Sequence, residues 1–104
     1  MTDRYILDGH TPVPEPDLMK WAEWLETAER HVAQDEKGGV RVSTVFLGLD
    51  YSFYMSKGNA PILFETMVFG DNSDERMERY ATWEEAEKGH ARFVKKYLSP
   101  DTDE

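Results

Sequence analysis

The chain has 104 residues, no cysteine and a formal charge of −9, from 12 Lys plus Arg against 21 Asp plus Glu. That length supports one domain with a modest core, while the missing thiols exclude disulfide frameworks, thiolate zinc sites and cysteine nucleophiles. The acidic balance opposes unaided binding to a phosphate backbone, and with no basic leader and no apolar run of membrane-spanning length the expectation is a soluble cytoplasmic protein.

Tyr5-Ile-Leu7 reads as a short strand stopped at Asp8-Gly9. Pro12, Pro14 and Pro16 then hold the chain extended. Pro16 suits the first position of a helix that Asp17 favours through the dipole, and the spacing predicts this helix over about Pro16 to Ala33, ended by Gln34-Asp-Glu-Lys-Gly-Gly39. Two apolar runs follow, Val40 to Asp50 and Pro61 to Gly70. In the first, Val42 and Phe46 oppose Val45, Leu47 and Leu49; in the second, Ile62, Phe64 and Val68 oppose Leu63, Met67 and Phe69. A strand with one buried face alternates cleanly, so here both sheet faces need a cover. Two helices either straddle the sheet or leave one face to a partner, and a two-fold homodimer is expected on that ground.

The strands are joined by Tyr51 to Ala60, too long for a tight hairpin turn and therefore a candidate binding loop. After the turn Asp71-Asn-Ser-Asp74, Arg76-Met-Glu-Arg-Tyr80 reads as an edge strand. Thr82-Trp-Glu-Glu85 is a capping box, and the second helix runs to about Leu98. The fold class is α+β: a three- to four-stranded antiparallel meander with two helices, in the order strand-helix-strand-strand-strand-helix. Residues 1–98 form the domain, and 99–104 are expected as an acidic disordered tail.

Helical periodicity gives the first helix an apolar stripe of Leu18, Trp21, Ala22, Leu25 and Val32, with Glu29 inside it, and the second a stripe of Trp83, Ala86, Val94 and Tyr97, with His90 near its centre. If both stripes meet one sheet surface, Glu29 and His90 form a carboxylate–imidazole pair suited to acid–base work; a hydrogen-bonded core histidine is the plainer reading. Asp50 and Glu65 are the acids most closely tied to the strand pair, but hairpin register sets Asp50 near Pro61 and Glu65 several rungs away. His10, His31 and His90 lack a paired metal-ligand spacing, and no nucleophile elbow or phosphate loop occurs. Neither a metal nor a cofactor is implied. Binding candidates are Trp24, which projects about 120° off the first stripe by the helical period, and the loop aromatics Tyr51, Phe53 and Tyr54.

The words Tyr5-Ile-Leu-Asp-Gly-His-Thr-Pro-Val-Pro14, Val42-Ser-Thr-Val-Phe-Leu-Gly-Leu-Asp50, Leu63-Phe-Glu-Thr-Met-Val-Phe-Gly70 and Tyr80-Ala-Thr-Trp-Glu-Glu-Ala-Glu-Lys-Gly-His90 resemble a group of small bacteriophage and prophage proteins without an established activity. Where that group often reads Gly-Leu-Asp-His, this chain has Asp50-Tyr51, so no functional residue carries over. The resemblance implies a context: an accessory protein in phage-infected bacteria that binds a host protein, for instance to counter a defence system. Carboxylates such as Glu23, Glu26, Asp71, Asp74 and Glu75 would serve nucleic-acid mimicry in a sharper version of that reading. The alternative is a small enzyme or ligand-binding domain using Glu29 and His90, with Asp50 or Glu65 assisting.

Overall fold

The computed structural model describes residues 3–52, 60–70 and 76–98. In chain order it contains β1 (Tyr5–Asp8), β2 (Thr11–Pro14), α1 (Leu18–Thr27), β3 (His31–Lys37), β4 (Val40–Phe46), β5 (Phe64–Phe69), β6 (Met77–Tyr80) and α2 (Trp83–Tyr97). The α+β class is as expected. Strands β3-β4-β5-β6 form a four-stranded antiparallel meander, and β1 with β2 forms a separate hairpin.

The first helix is shorter than its periodicity predicts. Asp17 caps it, accepting from the Met19 and Lys20 backbone N–H groups, and it ends at Thr27 with Ala28 already extended. Residues expected in its last turns instead make β3, the edge strand beside β4. The cause lies in Gly38-Gly39, which sit between the paired residues Lys37 and Val40 with φ of +59° and +85°. Two consecutive positive-φ residues make the two-residue hairpin turn whose twist matches its strands. The glycine pair therefore folds His31–Lys37 back onto β4 rather than simply stopping a helix. The second helix forms as expected, with Thr82 accepting from the Glu85 N–H and Glu85 reaching back to the Thr82 N–H.

Alternate residues of β4 and β5, namely Val42, Thr44, Phe46, Phe64, Thr66 and Val68, point to one face and are fully buried. Helix α2 covers this face, burying Ala86 and His90. One core cluster gathers Phe46, Leu63, Phe64, Tyr80 and Ala86, with Tyr5, Leu7, Trp24, Val32 and Trp83 packed around it. A second joins Val42, Val68 and Leu98 to Phe93, Val94 and Tyr97. The β1–β2 hairpin is held at the first cluster, where the His10 ring stacks on Trp83 at 3.7 Å. Helix α1 is tied nearby by the Trp21 indole N–H, which donates to the Gly48 carbonyl at 3.0 Å.

Helix α2 thus covers one face of the sheet, while α1 lies at the sheet's end against β1 and reaches it through Trp24 and Phe46. Among the described residues no helix lies over the opposite face, where Phe69 keeps 40% and Met77 47% of its surface exposed. Of the two arrangements expected from the two-faced strands, the described residues show the one that leaves a face without a helix, open at Phe69 and Met77 and largely covered at Glu65 and Arg79.

Candidate functional site

Beneath α2 a chain of polar side chains crosses all four strands. Asp35 on β3 meets His90 Nε2 at 2.7 Å, and His90 Nδ1 meets Thr44 Oγ1 at 2.7 Å. Thr44 bonds Thr66 at 2.5 Å, and the Tyr80 hydroxyl lies 3.1 Å from Thr66 and 3.4 Å from Glu78. Glu78 ends the chain by accepting from Arg92 at 3.0 Å. The middle of the chain is dry, with Thr44 and Thr66 at 0% exposure, while the Asp35 side chain at one end is 54% exposed. Buried hydroxyls cost stability unless paired, and here each finds partners in the chain.

Two proton arrangements complete it. With His90 neutral and its Nε2–H donated to Asp35, Nδ1 accepts from Thr44, Thr44 from Thr66, and Thr66 from Tyr80. With His90 as imidazolium both ring nitrogens donate, every hydroxyl turns round, and Tyr80 donates to Glu78 instead. The sequence carboxylate, imidazole, hydroxyl is that of a nucleophile relay. Thr44, however, is sealed between β4 and α2, so no substrate reaches its oxygen, and the chain works as a buried strut. Gly89 makes room for it, because a Cβ there would overlap the Tyr80 hydroxyl and ring. Burial raises the Tyr80 phenol above its ordinary range; the Thr66 hydrogen bond opposes this shift and the Glu78 charge reinforces it.

The conditional pairing of Glu29 with His90 does not form, and His90 is the hydrogen-bonded core histidine of the plainer reading. Glu29 lies after α1 on the surface, where it accepts from the His31 N–H at 3.0 Å and meets His31 Nδ1 at 2.8 Å. Those backbone and ring hydrogen bonds hold its carboxyl below the usual range. His90 takes its carboxylate from Asp35 because the turn at Gly38-Gly39 brings β3 alongside α2. Asp50 clasps the base of the long connection: its Oδ1 accepts from the Ser52 N–H at 2.8 Å and the Ile62 N–H at 2.9 Å. Burial pushes the Asp50 carboxyl up, but the Ser52 and Ile62 hydrogen bonds together outweigh it and leave the group lowered. Glu65 instead accepts from Arg79 Nε at 3.0 Å. Trp24 sets its ring edge-on to Phe46 and joins the core. Tyr51 lies under the Arg79 guanidinium at 4.6 Å; Phe53 and Tyr54 fall outside the described residues. Glu23 and Glu26 are exposed on α1, and Asp71, Asp74 and Glu75 also fall outside the described residues.

Two surfaces remain available for binding. The open sheet face carries Ser43, Val45, Met67, Phe69 and Met77 in its interior. By strand register, its charged residues are Glu36, Arg41, Glu65 and Arg79. Arg41 lies over the Phe69 ring at 4.7 Å. On the other side of edge strand β6, a groove against α2 comprises two adjoining cavities of about 380 and 490 Å³ that share Glu78 and Arg92. Among the described residues no three His, Asp or Glu side chains converge to hold a metal ion, and no helix is long and apolar enough to cross a membrane.

Sequence reading missed Asp35, Thr44 and Thr66. Thr44 and Thr66 occupy alternation positions otherwise held by Val42, Phe46, Phe64 and Val68, and paired hydroxyls in such a row mark a buried polar contact. Compared with known proteins, the chain matches no family model, no curated protein sequence and no solved structure.

Proposed function

We propose that the chain is a non-enzymatic interaction protein that works as a homodimer, two copies meeting through their open sheet faces. The supporting observation is the contrast between charge on that face and charge on the molecule. Glu36 and Glu65 are balanced there by Arg41 and Arg79, whereas the whole chain carries −9. Among the described residues the large exposed apolar side chains are Phe69 and Met77 on this face and Leu18 and Met19 on α1; two copies repel least on the charge-balanced face, and burying Phe69 and Met77 there supplies the driving force. Tyr51 and Arg79 stack at the rim of this face, in keeping with the aromatic and arginine residues that anchor protein contacts.

The finer reading rests on the phage-type sequence words. On it the protein is a bacteriophage accessory factor in the bacterial cytoplasm, and its dimer engages a host protein, in one version a component of a defence system. An enzyme using Glu29 and His90 draws no support from the geometry, since those groups bond to His31 and Asp35 respectively.

Native mass spectrometry across a concentration series tests the dimer. The expected result is a two-copy species at micromolar concentration that Phe69→Glu converts to monomer without loss of fold. A wild-type protein that stays monomeric throughout, or a dimer indifferent to Phe69→Glu, would overturn the proposal.

A further inference from the structure

We infer that the groove between β6 and α2 binds an extended acidic peptide of a partner protein, added as a fifth strand to the sheet. The inference concerns the outer edge of β6, which meets the dimer face at Met77 and Arg79, and it stands without the dimer.

The ladder register turns part of the β6 backbone toward its outer edge. The Val68 N–H donates to the Arg76 carbonyl in the register that pairs Thr66 with Glu78 and Phe64 with Tyr80. Hydrogen-bonded and non-bonded rungs alternate along an antiparallel ladder, so the intervening Met77 and Arg79 turn their N–H and C=O groups away from β5. No further strand pairs there among the described residues. An edge of this kind is a template for strand addition.

The charge beside that edge sets the chemistry of the added strand. Lys88, Arg92 and Lys96 recur every fourth residue on α2 and line the groove together with Glu78, which Arg92 pairs, and Glu85, which accepts from the Ala81 and Thr82 N–H groups. Arg92 bonds Glu78, while Lys88 and Lys96 have no carboxylate partner among the described residues. Four residues of helix advance about 6 Å, and two residues of strand advance about 6.8 Å. A peptide laid along β6 therefore presents every second side chain to this cationic row with nearly the same repeat. Its other side chains fall on the opposite face of the sheet, beside Met77. The fitting sequence alternates acidic and apolar residues, and carboxylates at that spacing complement the row.

The test is fluorescence anisotropy of the full chain with a short labelled peptide alternating Glu and Val. Its control has the same composition with the acids grouped in adjacent pairs. Saturable binding is expected, roughly tenfold tighter for the alternating peptide, and roughly tenfold weaker in a K88E/K96E variant that keeps the circular dichroism and native mass of the wild type. Met77→Pro removes an outward N–H without touching the ladder to β5 and should abolish binding with the cations in place. Equal affinity for the two peptides, binding indifferent to K88E/K96E, or no binding would overturn the inference. So would equal binding of a labelled oligothymidylate, which would make the row a general anion site. Concentration-dependent growth of the protein abolished by K88E/K96E would also overturn it, by assigning the edge to a second copy. Phe69→Glu leaves the cationic row intact, so loss of the dimer and loss of peptide binding can be told apart.

Discussion

The two faces of the central sheet are built from neighbouring residues of the same strands, yet they solve different problems. On the covered face, Val42, Thr44, Phe46, Phe64, Thr66 and Val68 are sealed by α2, and even their hydroxyls are paired within the Asp35–His90–Thr44–Thr66–Tyr80 chain. On the open face, Val45 and Met67 are half-buried, Phe69 and Met77 are exposed, and the charges sit as opposed pairs over or beside aromatic rings. Burial of apolar surface drives folding on the first face; on the second, part of the apolar surface of Phe69 and Met77 stays exposed, which is the basis of the proposed dimer. Hydrophobic residues in alternation thus locate a sheet, while the polar residues interspersed with them decide what each face is for.

The largest expected difference between the faces comes from equivalent truncations. Phe46→Ala should lose about 3–5 kcal/mol of unfolding free energy in urea titrations, through lost burial and the cavity left behind. Phe69→Ala, measured on monomer at low concentration, should change it by less than about 1 kcal/mol. Similar losses at both positions would mean that the open face is covered within one copy. A smaller effect is expected for Thr44→Val, which keeps shape but leaves His90 Nδ1 and the Thr66 hydroxyl short of a partner, at a cost of about 1–3 kcal/mol by the same titration. The matched change Ser43→Val on the open face should be nearly neutral.

Much of this contrast was legible in the sequence. The apolar residues on both faces of Val40–Asp50 and Pro61–Gly70, the Thr82–Glu85 capping box and the position of His90 in its helical stripe all reflect local periodicity, which the structure preserves. The error at β3 has a physical source: Trp21, Leu25 and Val32 fit a helical repeat, and Gly38-Gly39 can end a helix as well as turn a hairpin. Only the presence of β4 as a partner decides between them. Because Asp35 rides on that strand, helical spacing alone offers only Glu29 as an acid for His90. Helical periodicity leaves Trp24 off its stripe, since the angle between α1 and the sheet end at Phe46 is a tertiary fact that no stripe within one helix contains.

The smallest effect expected on the covered face is alkaline. Burial holds the Tyr80 phenol above its ordinary range, with Thr66 opposing and Glu78 reinforcing the shift. A raised folded-state value means that the stabilisation is fully present below the unfolded value, near about 10, and is lost as pH rises through the folded one. Urea midpoints should fall over that alkaline window in the wild type and fall less in Tyr80→Phe. Parallel curves would remove Tyr80 from the buried chain's energetics.

Methionine oxidation compares the two faces most directly, because the protein carries its own reference. Met77 lies on the open face at 47% exposure, and Met19 lies on α1, away from it, at 67%. Dilute peroxide converts accessible methionine to the sulfoxide, and mass spectrometry reads each site. With rising protein concentration, Met77 should become protected while Met19 continues to oxidise at its dilute rate. Oxidation of Met77 that keeps pace with Met19 at every concentration would contradict a dimer built on the open face.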